Sequence, residues 1–219
     1  MILLNDERII NVICIDNKEK IISLRNVHKN LLIDESRSQI GNKSELFCFA
    51  RESVVNRLME AVNYLPCGYK FVVKEAYRPL SLQREFFEEA IKYYKTQYPL
   101  KNEKEIYKLA CQYAAPVEVA GHPTGGAIDI TLIKDGVELD MGSEFNEAPV
   151  EPENRSHLHS TYINDLAKEN RKILTDCLEK VGFVNYPTEW WHWSYGDRYW
   201  AFQNNGYALY SATDENEII

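Results

Sequence analysis

The chain has 219 residues, of which 45% are hydrophobic and 26% are charged. That length suits one sizeable domain or two small ones, and the composition is ordinary for a globular protein. The formal net charge of -8 disfavours nucleic acid and anionic lipid as partners, and the longest apolar stretches fall far short of a membrane span. Because no internal repeat or low-complexity linker is visible, we expect one domain over residues 1–219.

The amino terminus and the cysteines indicate a cytoplasmic protein. Residues 1–10 lack the basic segment, long apolar segment and small-residue cleavage site of a secretory signal peptide. Five cysteines are scattered along the chain, odd in number and without a C-x-x-C pair. We therefore expect reduced and mostly buried thiols.

The first predicted elements are short strands and loops, followed by a helix. Short apolar runs at 9–15 and 46–49 alternate with polar turns. Residues 52–65 carry apolar side chains at spacings of three and four, which predicts a helix. Pro66 and Gly68 then break the helical pattern.

The middle of the chain predicts a strand and two helices. Residues 69–76 are rich in β-branched and aromatic side chains and lie between turn residues, which is typical of a strand. Helical patterns follow over about 81–94 and 103–114.

The last third predicts a hairpin, a long helix and a final strand. Residues 127–133 predict a strand, and the Asp135–Gly136 turn leads to a short strand at 137–139. A long helix is predicted over 160–181, and residues 190–195 favour a strand. Because the helices and strands come in blocks with a hairpin, the pattern favours the α+β class.

His122 and Asp129 form the first half of a candidate metal site. His122 lies in a loop rich in glycine and proline, which can aim a side chain freely. Asp129 lies seven residues later on the polar face of the predicted strand, where burial is costly unless the carboxylate is paired or bound to a metal. The alternative is a carboxylate at a sheet edge, either solvated or hydrogen-bonded to Thr131.

His192 and Glu189 form the second half. A histidine among three tryptophans is often a core residue, but the nearby carboxylate favours a functional role. In a regular strand these two side chains point to opposite faces, so Glu189 must lie in an irregular segment after Pro187. Two imidazoles, one carboxylate and a second carboxylate as base match a zinc hydrolase, which predicts a metallopeptidase.

Three further side chains are candidates for the chemistry. Arg78 follows the strand at 69–76, and a fixed guanidinium can stabilise the negative charge that develops on a hydrolysed carbonyl. Its alternative is a surface salt bridge with a neighbouring glutamate. His157 and His159 form another possible ligand pair, but we prefer a polar loop for them because no nearby segment supplies a third ligand.

The motifs together resemble the D-alanyl-D-alanine dipeptidases, zinc enzymes related to the D,D-carboxypeptidases. That family has a tyrosine-arginine-proline segment after a strand, then H-x6-D in a small-residue run, and finally Glu-Trp-Trp-His. Here these motifs are Tyr77 to Pro79, His122 to Asp129 and Glu189 to His192. The resemblance spans about residues 70–200.

The resemblance implies a role for each of these residues. One zinc ion would be held by His122, Asp129 and His192, with Glu189 as the general base and then acid. Arg78 would polarise the scissile carbonyl. The implied substrate is the cell-wall dipeptide D-Ala-D-Ala, released as D-alanine in peptidoglycan recycling or in drug resistance. The implied fold is a single α+β domain with a central antiparallel sheet flanked by helices, as in the hedgehog-like zinc D,D-peptidases.

Two departures from the family pattern affect substrate binding. Members often have a serine just before the first histidine, where this chain has Ala120 and Gly121. An acidic residue that binds the substrate's ammonium group is replaced here by Asn146, with Glu147 next to it. We expect Asn146 or Glu147 to bind the amine, more weakly if the contact is a neutral amide.

Two other functions compete with a dipeptidase. A D,D-carboxypeptidase would trim longer muropeptides, but it would usually need export, and the double tryptophan before His192 is more similar to the dipeptidases. A noncatalytic zinc-binding or ligand-binding module would need neither Glu189 nor Arg78. A structural zinc site is also usually closed by a fourth protein ligand, and no cysteine flanks these residues.

Overall fold

The helices and strands are taken from a computed structural model that describes residues 2–36, 43–150 and 152–218. The α-helices in these ranges are α1 Glu7–Ile10, α2 Glu52–Ala61, α3 Leu80–Gln97, α4 Glu103–Tyr113, α5 Asp165–Glu179 and α6 Arg198–Gln203. The strands are β1 Ile21–Ser23, β2 Leu31–Ile33, β3 Phe49–Arg51, β4 Tyr69–Glu75, β5 Ala127–Lys134, β6 Val137–Glu138, β7 Val184–Asn185 and β8 His192–Ser194. Short 3-10 helices occur at Val62–Tyr64, His122–Thr124 and Glu215–Glu217.

The main sheet is built around β5. Its strand order is β2-β4-β5-β8-β7, with β6 forming a hairpin on β5, while β1 and β3 form a separate two-stranded sheet. All pairings are antiparallel except that of β2 with β4, which is parallel because the chain crosses over through β3 and α2 between them. The predicted α+β fold with a central antiparallel sheet flanked by helices is confirmed, with this parallel edge as the difference.

The two faces of β5 separate the core from the site. Ile128, Ile130 and Leu132 point into the main apolar core, where Leu58 of α2 and Leu174 of α5 also pack. The predicted polar face of β5 is polar but not solvated, because Asp129 and Thr131 are both buried. A buried carboxylate on that face needs partners, and the functional site supplies them.

Three predicted elements differ in extent or type. The apolar run 9–15 was expected to form a strand or loop, but it begins inside α1, because the Asp6 side chain caps that helix at the Arg8 N–H. The helix expected over 160–181 is shorter, since the Asn164 side chain caps its start at Ala167. The strand expected over 190–195 is limited to β8 because a turn precedes it.

The expectations about the cysteines and about membrane-spanning segments can be compared with the structure. All five cysteines are free, as expected for reduced thiols. Among the helices in the described ranges, none combines the length and apolar character needed to cross a membrane. That residues 1–219 form a single domain stays a prediction.

Candidate metal centre and active site

A row of three polar side chains crosses the centre of the sheet. Asp129 of β5 lies directly opposite His192 of β8 on one side and Glu75 of β4 on the other. Directly opposite residues in antiparallel strands project from the same face. Glu75 enters this row because the register of β4 shifts between Val73 and Glu75. The sheet therefore positions one imidazole and two carboxylates on the face away from the main core.

His122 completes the group from a loop. It begins the 3-10 helix that follows Gly121, and the turn ends at Gly125, whose φ of 70° is in the left-handed region that favours glycine. The His122 Nδ1–H donates to the carbonyl of Ala76 at 2.6 Å. That bond turns Nε2 toward Asp129, and in the neutral imidazole Nε2 is then the bare nitrogen that can ligate a metal.

The three side chains are spaced as ligands of one ion. His122 Nε2 lies 3.4 Å and His192 Nδ1 lies 3.0 Å from Asp129 Oδ1. Among the described residues they are the group of histidine, cysteine, aspartate and glutamate able to hold a metal, with ligand atoms within 4.8 Å of one another. Tetrahedral zinc ligands at 2.0–2.2 Å from the metal lie about 3.3 Å apart. The donor set and its spacing both fit zinc.

The charges of this group stabilise one another. Burial alone would raise the pKa of Asp129, but the charges of His122 and His192 outweigh burial and hold it well below its usual range. Burial alone would lower the pKa of His122, and the charge of Asp129 raises it instead. A buried carboxylate between two imidazoles is thus kept ionised, as a metal ligand must be.

Glu189 lies in the predicted irregular segment before β8. Its carbonyl accepts from the Asn185 amide at 2.9 Å and from the His192 N–H at 3.2 Å, which closes a turn. Glu189 Oε2 comes within 3.7 Å of His192 Nδ1, and the side chain is 15% exposed. Burial raises the pKa of Glu189 to about 8, against the opposing charge of His192. A cation bound beside it would favour the ionised form.

The aromatic residues around Glu189 hold its turn in place. Trp190, Trp191 and Trp193 are all buried. The Trp190 indole N–H donates to Ser143 Oγ at 3.0 Å, and Trp191 packs edge-on against Phe145 at 5.5 Å between ring centroids. The tryptophans are therefore core residues that fix the segment carrying Glu189 and His192.

Arg78 is held in the site by an ion pair. Its Nε and Nη2 donate to the two oxygens of Glu75 at 2.6 and 2.7 Å, and its Nη1 donates to Gln83 Oε1 at 3.0 Å. The salt bridge considered from the sequence exists, but it is buried rather than on the surface, with Glu75 almost fully covered. The bidentate pair fixes the direction of the guanidinium.

The candidate residues line one small cavity of about 50 Å³. The residues around this cavity include Arg78, His122, Asp129, Asn146, Glu189 and His192, together with Leu4, Gln83, Tyr113, Ala114, Ala115, Ala120, Gly121 and Tyr186. Glu147 does not line it; its carboxylate pairs with Arg155 at 3.1 Å beside a separate cavity of about 640 Å³. Of the two residues expected at the substrate amine, only Asn146 reaches this site.

The competing histidines lie elsewhere. His157 and His159 belong to the loop before α5, as expected, and His159 is exposed. The ligand cluster found in the described ranges does not include either of them.

Several residues of the site were missed from the sequence, whereas Glu75 was considered as a surface partner of Arg78. Gln83 also holds Arg78, and the Gln83 amide donates to the Ala115 carbonyl at 2.7 Å. Tyr186 packs edge-on against His192 at 6.1 Å between ring centroids. Asp197 is buried beside Gly121 and caps α6 at the Trp200 N–H. No sequence signal identified Gln83, Tyr186 or Asp197, since their places in the site depend on tertiary packing.

Gly121→Ala is expected to lower stability and zinc affinity together. A Cβ at Gly121 would lie 2.3 Å from Asp197 Oδ2 and 2.8 Å from the Ala127 Cβ, so the backbone before His122 must shift. Overpacking of this kind costs about 1–3 kcal/mol. Thermal unfolding and zinc titration measure both effects. Gly206→Ala is the matched control, because a Cβ there meets nothing within 4 Å, and a variant at Gly121 as stable as that control would contradict the contact.

The amino-acid sequence is similar to those of a known family of proteins. The sequence model described as D-ala-D-ala dipeptidase matches residues 22–209. A D-alanyl-D-alanine dipeptidase of Synechocystis sp. is 29% identical over 181 residues, covering 71% of this chain and 72% of the relative. One of Escherichia coli K12 is 28% identical over 151 residues, covering 66% of this chain and 65% of the relative.

The fold is also found in a solved structure. A mutant of the vancomycin resistance D,D-pentapeptidase VanY, in complex with Zn(II), superposes with a TM-score of 0.51 at 17% identity and covers 94% of this chain and 95% of its own. This likeness concerns the fold alone. The match of the family model is the stronger finding, because it includes His122, Asp129, Glu189 and His192. The protein belongs to the D-ala-D-ala dipeptidase family.

Proposed function

We propose that this chain hydrolyses D-Ala-D-Ala to two molecules of D-alanine with one bound zinc ion. The observation that carries the proposal is the placement of His122, Asp129 and His192 in one small cavity with Glu189 and Arg78. Family membership supports the peptidase activity and the dipeptide substrate.

The proposed mechanism assigns one task to each side chain. His122, Asp129 and His192 would hold zinc, which supplies Lewis acidity that lowers the pKa of water toward about 7. The Glu189 carboxylate accepts a proton from the attacking water as the new carbon–oxygen bond forms. When the carbon–nitrogen bond breaks, Glu189 returns that proton to the leaving amine.

Arg78 stabilises the charge on the carbonyl oxygen in this mechanism. Its guanidinium is fixed by Glu75 and Gln83 before substrate binds, so little reorganisation is needed during the reaction. Because Glu75 takes two of its five N–H donors and Gln83 takes a third, the stabilisation comes from the two remaining N–H groups and from the positive charge. This pre-organisation distinguishes a catalytic centre from a structural metal site.

Asn146 is the residue we assign to the substrate's ammonium group. It lines the cavity, at a backbone φ of 60°, whereas the neighbouring Glu147 pairs with Arg155 outside it. A neutral amide oxygen binds an ammonium less tightly than a carboxylate does.

Asn146→Asp is therefore expected to lower KM for D-Ala-D-Ala by about 5-fold, since hydrogen bonds between charged partners are worth roughly 1 kcal/mol more than those with one neutral partner. Steady-state kinetics measure the change. The control is Glu147→Gln, which alters a neighbouring charge outside the cavity and should leave KM unchanged. An unchanged KM in Asn146→Asp together with a raised KM in Glu147→Gln would reassign the amine contact to Glu147.

Zinc dependence tests the proposed function as a whole. The protein is stripped with a chelator and then reloaded with increasing zinc while D-alanine release from D-Ala-D-Ala is followed. We expect no turnover in the stripped protein and full turnover at one zinc per chain. Zinc binding at one equivalent without turnover of any peptide would instead favour a noncatalytic module.

The alternative activity is that of a D,D-carboxypeptidase on longer muropeptides. The match to the dipeptidase family and to dipeptidase relatives argues against it. A cytoplasmic location is part of the proposal and is supported by the five free cysteines, which are typical of a reducing compartment. There the enzyme would act on a cell-wall dipeptide, in recycling or in drug resistance.

A further inference from the structure

Leu4 lines the cavity of the proposed active site, although it is far from the other lining residues in sequence. It is 5% exposed and packs in a small apolar cluster with Ile9, Val119, Tyr186 and Tyr199. This cluster is separate from the main core of the sheet. The amino-terminal residues therefore form one side of the space beside His192.

Polar contacts anchor this segment to the elements around the site. The Leu4 N–H donates to the hydroxyl oxygen of Tyr186 at 3.4 Å, and that hydroxyl donates to the Cys111 carbonyl of α4 at 3.1 Å. Tyr186 thus connects the segment to α4 while its ring packs against His192. The position of Leu4 is coupled to the site itself.

A second set of contacts holds the following residues. The Arg198 guanidinium of α6 donates to the carbonyls of Ile10, at 3.1 Å, and Val12. The Arg8 guanidinium lies over the Phe202 ring at 5.6 Å from its centroid. Residues 2–12, which we name the amino-terminal wall, are therefore docked along α6 rather than loose.

The amino-terminal wall lies outside the part of the chain that the family model matches, which begins at residue 22. The metal ligands, Glu189 and Arg78 all lie inside that part. The wall thus lies outside the matched region but borders the same cavity through Leu4.

We infer that the amino-terminal wall sets the length of peptide that this enzyme accepts, with Leu4 as the limiting side chain. The inference rests on the proposed function. Leu4 borders the same cavity as the side chains of Glu189 and His192, so it limits the space beside them. Each added residue extends a peptide by about 3.5 Å. A third residue on the wall side must displace Leu4, so removing its side chain should admit longer peptides.

The test compares peptides of different length on zinc-loaded protein. The substrates are D-Ala-D-Ala, L-Lys-D-Ala-D-Ala, which is extended at the amino end, and D-Ala-D-Ala-Gly, which is extended at the carboxyl end. For Leu4→Ala we expect the kcat/KM of at least one extended peptide, relative to the dipeptide, to rise about 10-fold or more. The peptide that gains identifies the end that meets the wall. Leu4→Val is the milder variant if Leu4→Ala does not fold, with a smaller rise expected.

Val119→Ala is the matched control. Val119 packs in the same cluster but does not line the cavity, so the variant loosens the packing without removing the barrier. For each extended peptide, the ratio of its kcat/KM to that of the dipeptide should equal the ratio in the wild type. An unchanged ratio for both extended peptides in folded Leu4 variants, or an equal rise in Val119→Ala, would overturn the inference.

A second readout separates this inference from the proposed function. The rate at which 2,6-pyridinedicarboxylate removes zinc depends on access to the cavity and not on turnover. We expect faster removal from Leu4→Ala than from wild type and Val119→Ala. If the wild type fails to cleave D-Ala-D-Ala, the proposed function is wrong, and the zinc-removal rates alone then test the role of Leu4. Equal removal rates in wild type and Leu4→Ala would show that Leu4 does not restrict access to the cavity.

Discussion

Glu189→Gln is expected to lower kcat for D-Ala-D-Ala by about 10³-fold, the range typical of a lost general acid–base group. The amide has nearly the same shape but cannot accept the proton from water. Zinc affinity should change little, because the three ligands are other residues. The fold should also persist, since a neutral amide avoids the cost of burying a carboxylate. Single-turnover D-alanine release and zinc titration measure the two effects separately.

Glu169→Gln is the control for this variant, because Glu169 is an exposed residue of α5. It should keep both the rate and the zinc affinity of the wild type. A wild-type rate in Glu189→Gln would remove the base assignment. A parallel loss of zinc and rate would show that Glu189 acts as a ligand rather than as a base.

Asp129→Asn is expected to weaken zinc binding by about 100-fold or more, since even the loss of an outer partner of a metal ligand costs about 10–100-fold. Asp129 is the only carboxylate among the three ligands, and its Oδ1 lies within 3.4 Å of both imidazoles. The neutral amide keeps the side-chain shape but removes the negative charge from the donor set. Competition with a chromophoric chelator gives the affinity.

Excess zinc separates lost affinity from lost chemistry in this variant. D-alanine release by Asp129→Asn should be absent at one equivalent of zinc and should recover in part when zinc is raised. His159→Gln is the control, because His159 is exposed in the loop before α5. Wild-type affinity in Asp129→Asn would contradict the ligand set.

The sequence was sufficient to predict that His122, Asp129 and His192 come together, because the alternation of a strand can be recognised from its local sequence. The apolar neighbours of Asp129 fix which face of β5 it occupies, and the register then places it opposite His192. The need for Glu189 to lie in an irregular turn also followed from strand parity, and the structure has that turn. The family, the fold class and the kind of enzyme inferred from these motifs are confirmed by the comparisons.

The other features of the site and of the fold depend on tertiary packing that no local sequence pattern encodes. The partnership of Arg78 with Gln83 requires α3 to start beside the end of β4. The burial of Asp197 against Gly121 joins residues far apart in the chain. The proposed choice of Asn146 over Glu147 rests on the ion pair of Glu147 with Arg155 outside the cavity, which no local pattern predicts. Capping by Asp6 converted an expected strand into α1 and so shaped the amino-terminal wall.

The most direct measurement of the central claim is D-alanine release from D-Ala-D-Ala by the wild-type protein with one zinc per chain, beside tri- and pentapeptides that end in D-Ala-D-Ala. The geometry of the site predicts rapid, zinc-dependent turnover of the dipeptide and little or none of the longer peptides. Efficient cleavage of the longer peptides with no cleavage of the dipeptide would contradict the account and indicate a carboxypeptidase.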